Sequence, residues 1–340
     1  MLFKFIKRLF NSEQEALIGK IQQFTQYKDH KIVNCPKAEN VLPLKLLSLV
    51  HIESNAKFKG TVGIIYVGEY NGKKISIKTI LEKTKRNMII DINTFKSIGG
   101  IAGILYSHIP SMINKLCDNI SYEVDINREK YMCMQINEIS IHIKEVDFIV
   151  PVPDLLSIKN ILPYYFIDGI SLFNAKKHLS QTIINDIGKK IALGFFKSLY
   201  DHNIIFGDMN PGNFLYNIDS NRITFIDYGC VFKLNTDERK ILLEFHNAQK
   251  NKTKLINYLK KWNAPELLSI NIYNNSQIFW KKNSIRTNTS FYDLLEIPDI
   301  AECKLPSELI IVIKSVYQLI ELEKWLNSEC VISDYLKKIK

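Results

Sequence analysis

The chain has 340 residues, 46% of them hydrophobic and 24% charged, a balance that suits a folded globular protein and excludes one dominated by disorder. Its 45 Lys+Arg against 35 Asp+Glu give a net charge of +10, which favours an anionic partner such as nucleotide, anionic lipid or nucleic acid, or else a lysine-rich solvated surface. Six cysteines without a C-x-x-C pair and seven histidines without zinc-type spacing exclude the common zinc patterns and fit reduced intracellular thiols.

Laid on a helix, MLFKFIKRLF puts Leu2, Phe3, Phe5, Ile6, Leu9 and Phe10 on one side and Lys4, Lys7 and Arg8 on the other. Such a segment suits an anionic membrane interface, or a helix docked on the protein's own body. Ser12 and Glu15 have capping-box spacing, so a second helix is predicted from Glu13, with Lys20 and Gln23 on one face. From Thr61 the periodicity changes: TVGIIYVGEY, the turn Asn71-Gly72 and KKISIKTI predict a β-hairpin with Lys78 on its second strand.

Residues 92–107 and 111–117 are expected to be helical, and ISYEVDINREKYMCMQINEI, from residue 120, predicts a long polar helix running into a strand. The longest apolar stretch, IGGIAGILYSHI, falls short of the ~18 residues a spanning helix needs, so no transmembrane segment is expected. No secretory signal is visible either. After the Pro-marked connection PVPDLL, ILPYYFIDGISL reads as one apolar strand ending at Asp168-Gly169, with Phe166 a nucleotide-binding candidate. QTIINDIGKKIALGFFKSLYDHN is a strong amphipathic helix, with Ile184, Ile187, Ile191, Phe195 and Leu199 at helical spacing. From Asp237 onward the pattern is helical, punctuated by Pro265, Pro298 and Pro306. This order divides the chain into a basic amphipathic segment at 1–12, a helical extension at 13–50, a small sheet-bearing lobe at 51–165 and a mostly helical lobe at 166–340, with the linker near 150–170.

FGDMNPGNFLYNIDSNRITFIDYG carries the chemistry. Asp208 and Asn213 stand five positions apart, the offset between the catalytic Asp and the metal-binding Asn of protein kinases. FLYNIDSNRITFI then predicts two short strands around Asp219-Ser220-Asn221 and delivers Asp227 in Asp227-Tyr228-Gly229, at the place of the kinase metal aspartate. Acids capping turns would account for either motif alone, whereas the two in order after a long amphipathic helix form a specific signal. A Mg²⁺-bound nucleotide triphosphate needs such hard oxygen ligands and a carboxylate near the transferred phosphoryl group. The same reading requires a strand lysine, which Lys78 provides, and a pairing glutamate on the polar helix, for which Glu123 and Glu129 are the candidates.

These residues resemble the UbiB/AarF family, the ADCK proteins of animals, which are atypical protein-kinase-like proteins linked to ubiquinone biosynthesis and lipid metabolism. Glu123-Val-Asp125-Ile-Asn-Arg128-Glu129 is similar to the family's E-x-D-x-x-x-E helix, with Glu129 in the lysine-pairing place. Thr79 to Asp91 resembles the segment after the strand lysine, Lys20-Ile-Gln22-Gln23-Phe24 the K-x-G-Q helix, and Leu305-Pro306-Ser-Glu308-Leu309 the late L-P-x-E-L segment. The resemblance implies an α+β, two-lobed protein-kinase-like fold, a Lys20–Glu123 gate over the active site that blocks protein substrates, and Gln23 directed to the nucleotide. Gln22 stands where the family has glycine. The family's alanine-rich nucleotide loop corresponds to Lys57–Gly63, in which Gly60, Thr61, Val62 and Gly63 are the nucleotide-binding candidates. C-terminal membrane helices like those of many bacterial members are not expected, because ELIIVIKSVYQLIELEKWL carries Glu308, Lys314, Glu321 and Glu323.

The expected function is therefore an ATP- and Mg²⁺-dependent phosphotransferase or ATPase, intracellular and cytoplasmic with peripheral membrane contact. Its expected partners are nucleotide, an anionic membrane surface and lipid or quinone-pathway enzymes. Catalytic candidates are Asp208, Lys78 and Glu129, and metal candidates are Asn213 and Asp227. Two alternatives stay open. Gly207-Asp208 before Pro-Gly-Asn also resembles aminoglycoside and choline phosphotransferases, and a pseudokinase scaffold would bind nucleotide without turnover. Nucleic acid is not an expected partner, because no recognised nucleic-acid module accompanies the basic charge.

Overall fold

The computed structural model describes residues 36–53, 58–59, 63–102, 121–122, 124–282, 284, 289–294 and 297–339. The amphipathic segment at 1–10, the Ser12 capping box and the expected helix at 111–117 lie outside them.

Short helical turns at Ala38–Asn40 and Leu44–Leu47 lead into a five-stranded antiparallel sheet. Its short edge strands β1 (His51–Ile52) and β2 (Phe58–Lys59) both pair with β3 (Gly63–Tyr70), which continues to β4 (Lys73–Ile80). Asn71 and Gly72 both have positive φ, 50° and 72°, the double left-handed step that matches the twist of a two-residue hairpin. Pleating sorts the side chains. Ile64, Tyr66, Ile75 and Ile77 share one face and pack with Leu46, Leu155 and Ile161 into a small core, which turns Ser76 and Lys78 to the opposite face.

Two helices follow, α1 (Glu82–Ala102) and α2 (Ile126–Ile139), and both start elsewhere than expected. The α1 helix begins ten residues before position 92, because Met88, Asp91 and Ile92 make a buried stripe too narrow to show in a polar sequence. For α2 the start is Ile126, not residue 120, because the Asp125 carboxylate accepts from the N–H groups of Asn127 and Arg128 at 3.1 Å each and so caps the first turn.

The linker expected near 150–170 is flanked and occupied by strands. Strand β5 (Asp147–Phe148) runs parallel to a strand of the large lobe, after which β6 (Ile161–Tyr165) returns to the small sheet beside β4. The strand expected to end at Asp168-Gly169 ends at Tyr165, and beyond the exposed step Asp168-Gly169 a further strand, β7 (Ile170–Ser171), joins a different sheet. The last passage from the small sheet to the large lobe is Phe166–Gly169.

Beyond it stand α3 (Leu172–His178) and α4 (Gln181–His202), the latter stopped by Asn203 at φ 60°. Then come β8 (Ile204–Phe206), β9 (Phe214–Asn217), β10 (Arg222–Phe225) and β11 (Val231–Lys233), followed by α5 (Thr236–Gln249), α6 (Lys252–Leu259), α7 (Glu266–Ser276) and α8 (Ser307–Leu326). Strand order β5-β10-β9-β7 makes a second sheet, and β11 pairs with β8 alone. The main core joins Ile126, Met132 and Ile136 of α2 to Ile187, Ile191 and Phe195 of α4 and to Leu319 and Leu322 of α8. Among the described residues no helix is long and apolar enough to cross a membrane.

Candidate functional site

Lys78 lies on the face of β4 that turns towards α2. Its Nζ is 2.6 Å from Glu129 Oε1 and 3.2 Å from Asp227 Oδ2. Glu129 sits on the first turn of α2 and is buried, while the Asp227 side chain is 34% exposed, so the pair of acids grades from a closed to an open side of the ammonium. Burial alone would lower the Lys78 ammonium, but the carboxylates of Asp227 and then Glu129 more than reverse it and hold the group above the ordinary lysine range. Lys78 is therefore a cation at every physiological pH. Burial pushes the Glu129 carboxyl the other way, upward, but the ammonium at 2.6 Å and the Tyr228 N–H at 3.2 Å both favour its charged form, and we take the pair as ionic.

Gly63 faces the same lysine. A Cβ built there would stand 3.2 Å from Lys78 Cε, so the absence of a side chain gives the lysine stem its course.

Arg128, beside Glu129, binds the other end of this region. Its guanidinium donates to the Gly229 carbonyl at 2.9 Å and to the Val231 carbonyl at 2.6 Å, and lies over the rings of Tyr122 and Phe232 at 4.2 and 5.2 Å. The step Asp227-Tyr228-Gly229 is held from within as well. Gly229 N–H donates to Asp227 Oδ1 at 2.9 Å, and the buried Tyr228 hydroxyl donates to the Phe225 carbonyl at 3.0 Å while accepting from Ile149 N–H at 2.8 Å. A phenylalanine at 228 could make neither hydroxyl bond. Between Gly229 and α5 stand only β11 and its flanks, and the β11–β8 ladder fixes that stretch as strand.

Asp208 follows β8 directly. Asn213 Nδ2 donates to Asp208 Oδ2 at 3.0 Å and to its carbonyl at 3.1 Å, leaving the Asn213 Oδ1 as its metal-competent atom. The Asn213 carbonyl accepts from Ile226 N–H at 3.0 Å, and Phe214 pairs with Phe225, so the β9–β10 register sets Asn213 opposite Ile226, the residue before Asp227. One amide oxygen and one partly exposed carboxylate suit Mg²⁺, which takes one or two protein oxygens and completes its shell with phosphates and water. Among the described residues no cluster of three or more His, Cys, Asp or Glu forms an all-protein metal site.

Phe166 lies at the lobe junction, its N–H donating to the Lys74 carbonyl at 3.0 Å and its ring under Lys74 Nζ at 4.0 Å. Lys20, Gln23, Gly60, Thr61, Val62 and Glu123 lie outside the described residues. Sequence reasoning missed Arg128, the Tyr228 hydroxyl, and Lys314 and Gln318 of α8. Lys314 Nζ donates to the Gly207 carbonyl at 3.2 Å, and Gln318 Nε2 to Asp208 Oδ1 at 3.4 Å. The available signal was two polar residues four apart, hence on one face, in the largely apolar stretch from Leu309 to Ile320.

Known proteins are similar to this chain in sequence, in fold and through a family model. A Clostridium pasteurianum protein, named as the uncharacterized protein in the hydrogenase 1 5' region, is 25% identical over 196 residues, covering 54% of this chain and 36% of that one. The chain thus spans about a third of that relative's length. The structure of the Mycobacterium tuberculosis Rv3197–erythromycin complex superposes with a TM-score of 0.63 over 99% of this chain and 90% of that one at 14% identity, a likeness of fold. The PK-1 kinase of Cydia pomonella granulovirus gives a TM-score of 0.32 at 16% identity over 56% of this chain and 58% of that one, too slight to bear on the argument. The model of the ABC1 atypical kinase-like domain matches residues 61–259, a span that holds Lys78, Glu129, Asp208, Asn213 and Asp227. With more than half of its length inside that match and a two-lobed kinase-like fold, the chain belongs to the ABC1 atypical kinase-like family, the domain family of the UbiB and ADCK proteins.

Proposed function

We propose that the protein is an ATP-binding, Mg²⁺-dependent phosphotransferase or ATPase of UbiB type, acting at a membrane surface on lipid or quinone-pathway chemistry. The observation that carries this reading is the Lys78 ammonium shared between buried Glu129 and partly exposed Asp227 at 2.6 and 3.2 Å.

In this reading Lys78, oriented by Glu129, holds the α- and β-phosphates. The loop Gly60-Thr61-Val62-Gly63 brings backbone N–H groups to the phosphates, and Phe166 and Gln23 adjoin the nucleotide. Asp208 accepts a hydrogen bond from the attacking hydroxyl or water and then its proton, with Asn213 keeping the carboxylate turned to that task. Asn213 Oδ1 and the Asp227 carboxylate hold Mg²⁺, which when bound neutralises charge on the transferring phosphoryl group. Lys20 and Glu123 gate the cleft, and the basic amphipathic start of the chain supplies membrane contact.

The test is Mg²⁺-dependent ATP turnover with and without anionic liposomes, comparing the native chain with Asp208→Asn and Asp227→Asn. Each substitution is expected to lower turnover by about a hundredfold or more. Turnover that survives both rejects this site. Tight nucleotide binding without turnover under any condition replaces the enzyme with a nucleotide-binding scaffold.

A further inference from the structure

Helix α8 is buried nearly all round, with Leu309, Val312, Leu319, Leu322 and Leu326 in the core. Four polar side chains are buried in it, Lys314, Ser315, Gln318 and Glu323, and two of these, Lys314 and Gln318, stand one turn apart. Lys314 is 6% exposed and Gln318 is 8% exposed. Placing an ammonium and an amide in such surroundings is costly unless each finds partners, and both find them in the loop that follows β8. Lys314 Nζ donates to the Gly207 carbonyl at 3.2 Å. Gln318 spans the next two residues, donating from Nε2 to Asp208 Oδ1 at 3.4 Å and accepting at Oε1 from Met209 N–H at 3.5 Å. Three consecutive residues, 207 to 209, are thus held by one face of one helix. Asn213 takes the other oxygen of the same carboxylate at 3.0 Å, so an amide N–H meets each Asp208 oxygen.

From this geometry we infer that Gln318, with Lys314 fixing the backbone just before it, is a positioning residue for Asp208, setting the rotation of its carboxylate about the terminal side-chain bond. The inference rests on the reading of Asp208 as the residue that orients the nucleophile. A carboxylate held at one oxygen keeps a broad, nearly two-fold torsion, whereas bonds at both oxygens restrict it to the orientation in which a lone pair meets the attacking group. Lys314 contributes by fixing the peptide whose rotation would swing the Asp208 Cα–Cβ bond. Helix α8 belongs to the site in this sense, although it lies outside the span matched by the family model, which ends at residue 259.

The experiment is a double-mutant cycle on the full chain. Gln318→Leu removes both polar ends at similar volume, and Gln318→Glu keeps the acceptor for Met209 while setting a second carboxylate against Asp208. Each is expected to lower kcat for Mg²⁺-dependent ATP turnover by about ten- to a hundredfold while the nucleotide KM stays within about threefold. On an Asp208→Asn background the same changes should cost less than about twofold, because Gln318 then has no catalytic carboxylate to position. An equal loss on both backgrounds assigns Gln318 a structural role and overturns the inference, as does an unchanged kcat in Gln318→Glu. If Asp208→Asn alone retains full turnover, the reading of Asp208 fails first and the inference falls with it. If the native chain binds Mg²⁺–ATP without turnover, amide exchange decides instead. Gln318→Leu should then speed exchange at Met209 at unchanged nucleotide affinity, and unchanged exchange overturns the positioning.

Discussion

Lys78 and Glu129 show how one buried ion pair places a functional cation. Removing Glu129 leaves the buried end of the Lys78 ammonium uncompensated, with the partly exposed Asp227 carboxylate at 3.2 Å on its other side, so Glu129→Leu is expected to destabilise the fold by about 3 kcal/mol in urea titrations. Adding Lys78→Met should recover much of that loss, since two apolar side chains replace the pair and Asp227 turns to solvent. No recovery would mean that the pair itself, rather than the half-compensated ammonium, set the cost. His246 makes a second point at this scale. Buried among Tyr200, Trp280 and Leu336, it hydrogen-bonds the Tyr200 hydroxyl at 3.1 Å and the Leu336 carbonyl at 3.0 Å, an arrangement suited to a neutral ring. Burial is the main cause that pushes its imidazole down to about 4 from 6.5. Because the folded value is the lower one, the unfolded chain binds the extra proton. The contribution is complete above pH 6.5 and is lost as pH falls towards 4, by about 3 kcal/mol in all. A His246→Phe chain should lose about that much less stability over the window, read as the difference between two urea series.

Between α2 and β11 the guanidinium of Arg128 is the joint. Lysine has neither the planar fork for two carbonyls nor the stacking surface for Tyr122 and Phe232. Arg128→Lys is therefore expected to cost about 1–3 kcal/mol and to speed amide exchange over residues 229–233. Exchange that stays slow there would show that the β8 ladder alone holds β11. Arg128 and Glu129 are neighbours on one helical turn, so the lysine pair and the Asp227-Tyr228-Gly229 step are set by the same element. Their positions move together with α2, whose first turn is fixed by the Asp125 cap.

Across the whole molecule the sheet face bearing Lys78 meets a core that belongs mainly to the large lobe, since α2 shares one core with α4 and α8. A nucleotide held by Lys78 on one side and Asn213 and Asp227 on the other would tie the two together. Mg²⁺–ATP at a hundred times its dissociation constant should then stabilise the native chain by about 2.7 kcal/mol, visible as a rise in melting temperature. In Asp227→Asn the Mg²⁺-dependent part of that rise should vanish, and a full rise there would place the metal elsewhere.

Local pattern made much of this visible in advance. Alternation marked the β3–β4 hairpin, Asn71-Gly72 its turn, and the five-residue offset of Asp208 and Asn213 the loop after β8, because each is decided by residues within a few positions of one another. The small lobe's helix starts were harder, since α1 buries so narrow a stripe and α2 depends on one cap. What only tertiary structure decided is which remote groups meet: β5 beside β10, Arg128 on Gly229 and Val231, and α8 beneath Gly207, Asp208 and Met209. Those partners stand far apart along the chain, the side-chain bonds among them spanning more than a hundred residues, beyond the reach of any periodicity, and they meet because burying the apolar faces of α2, α4 and α8 in one core leaves their few polar side chains no other place to be satisfied.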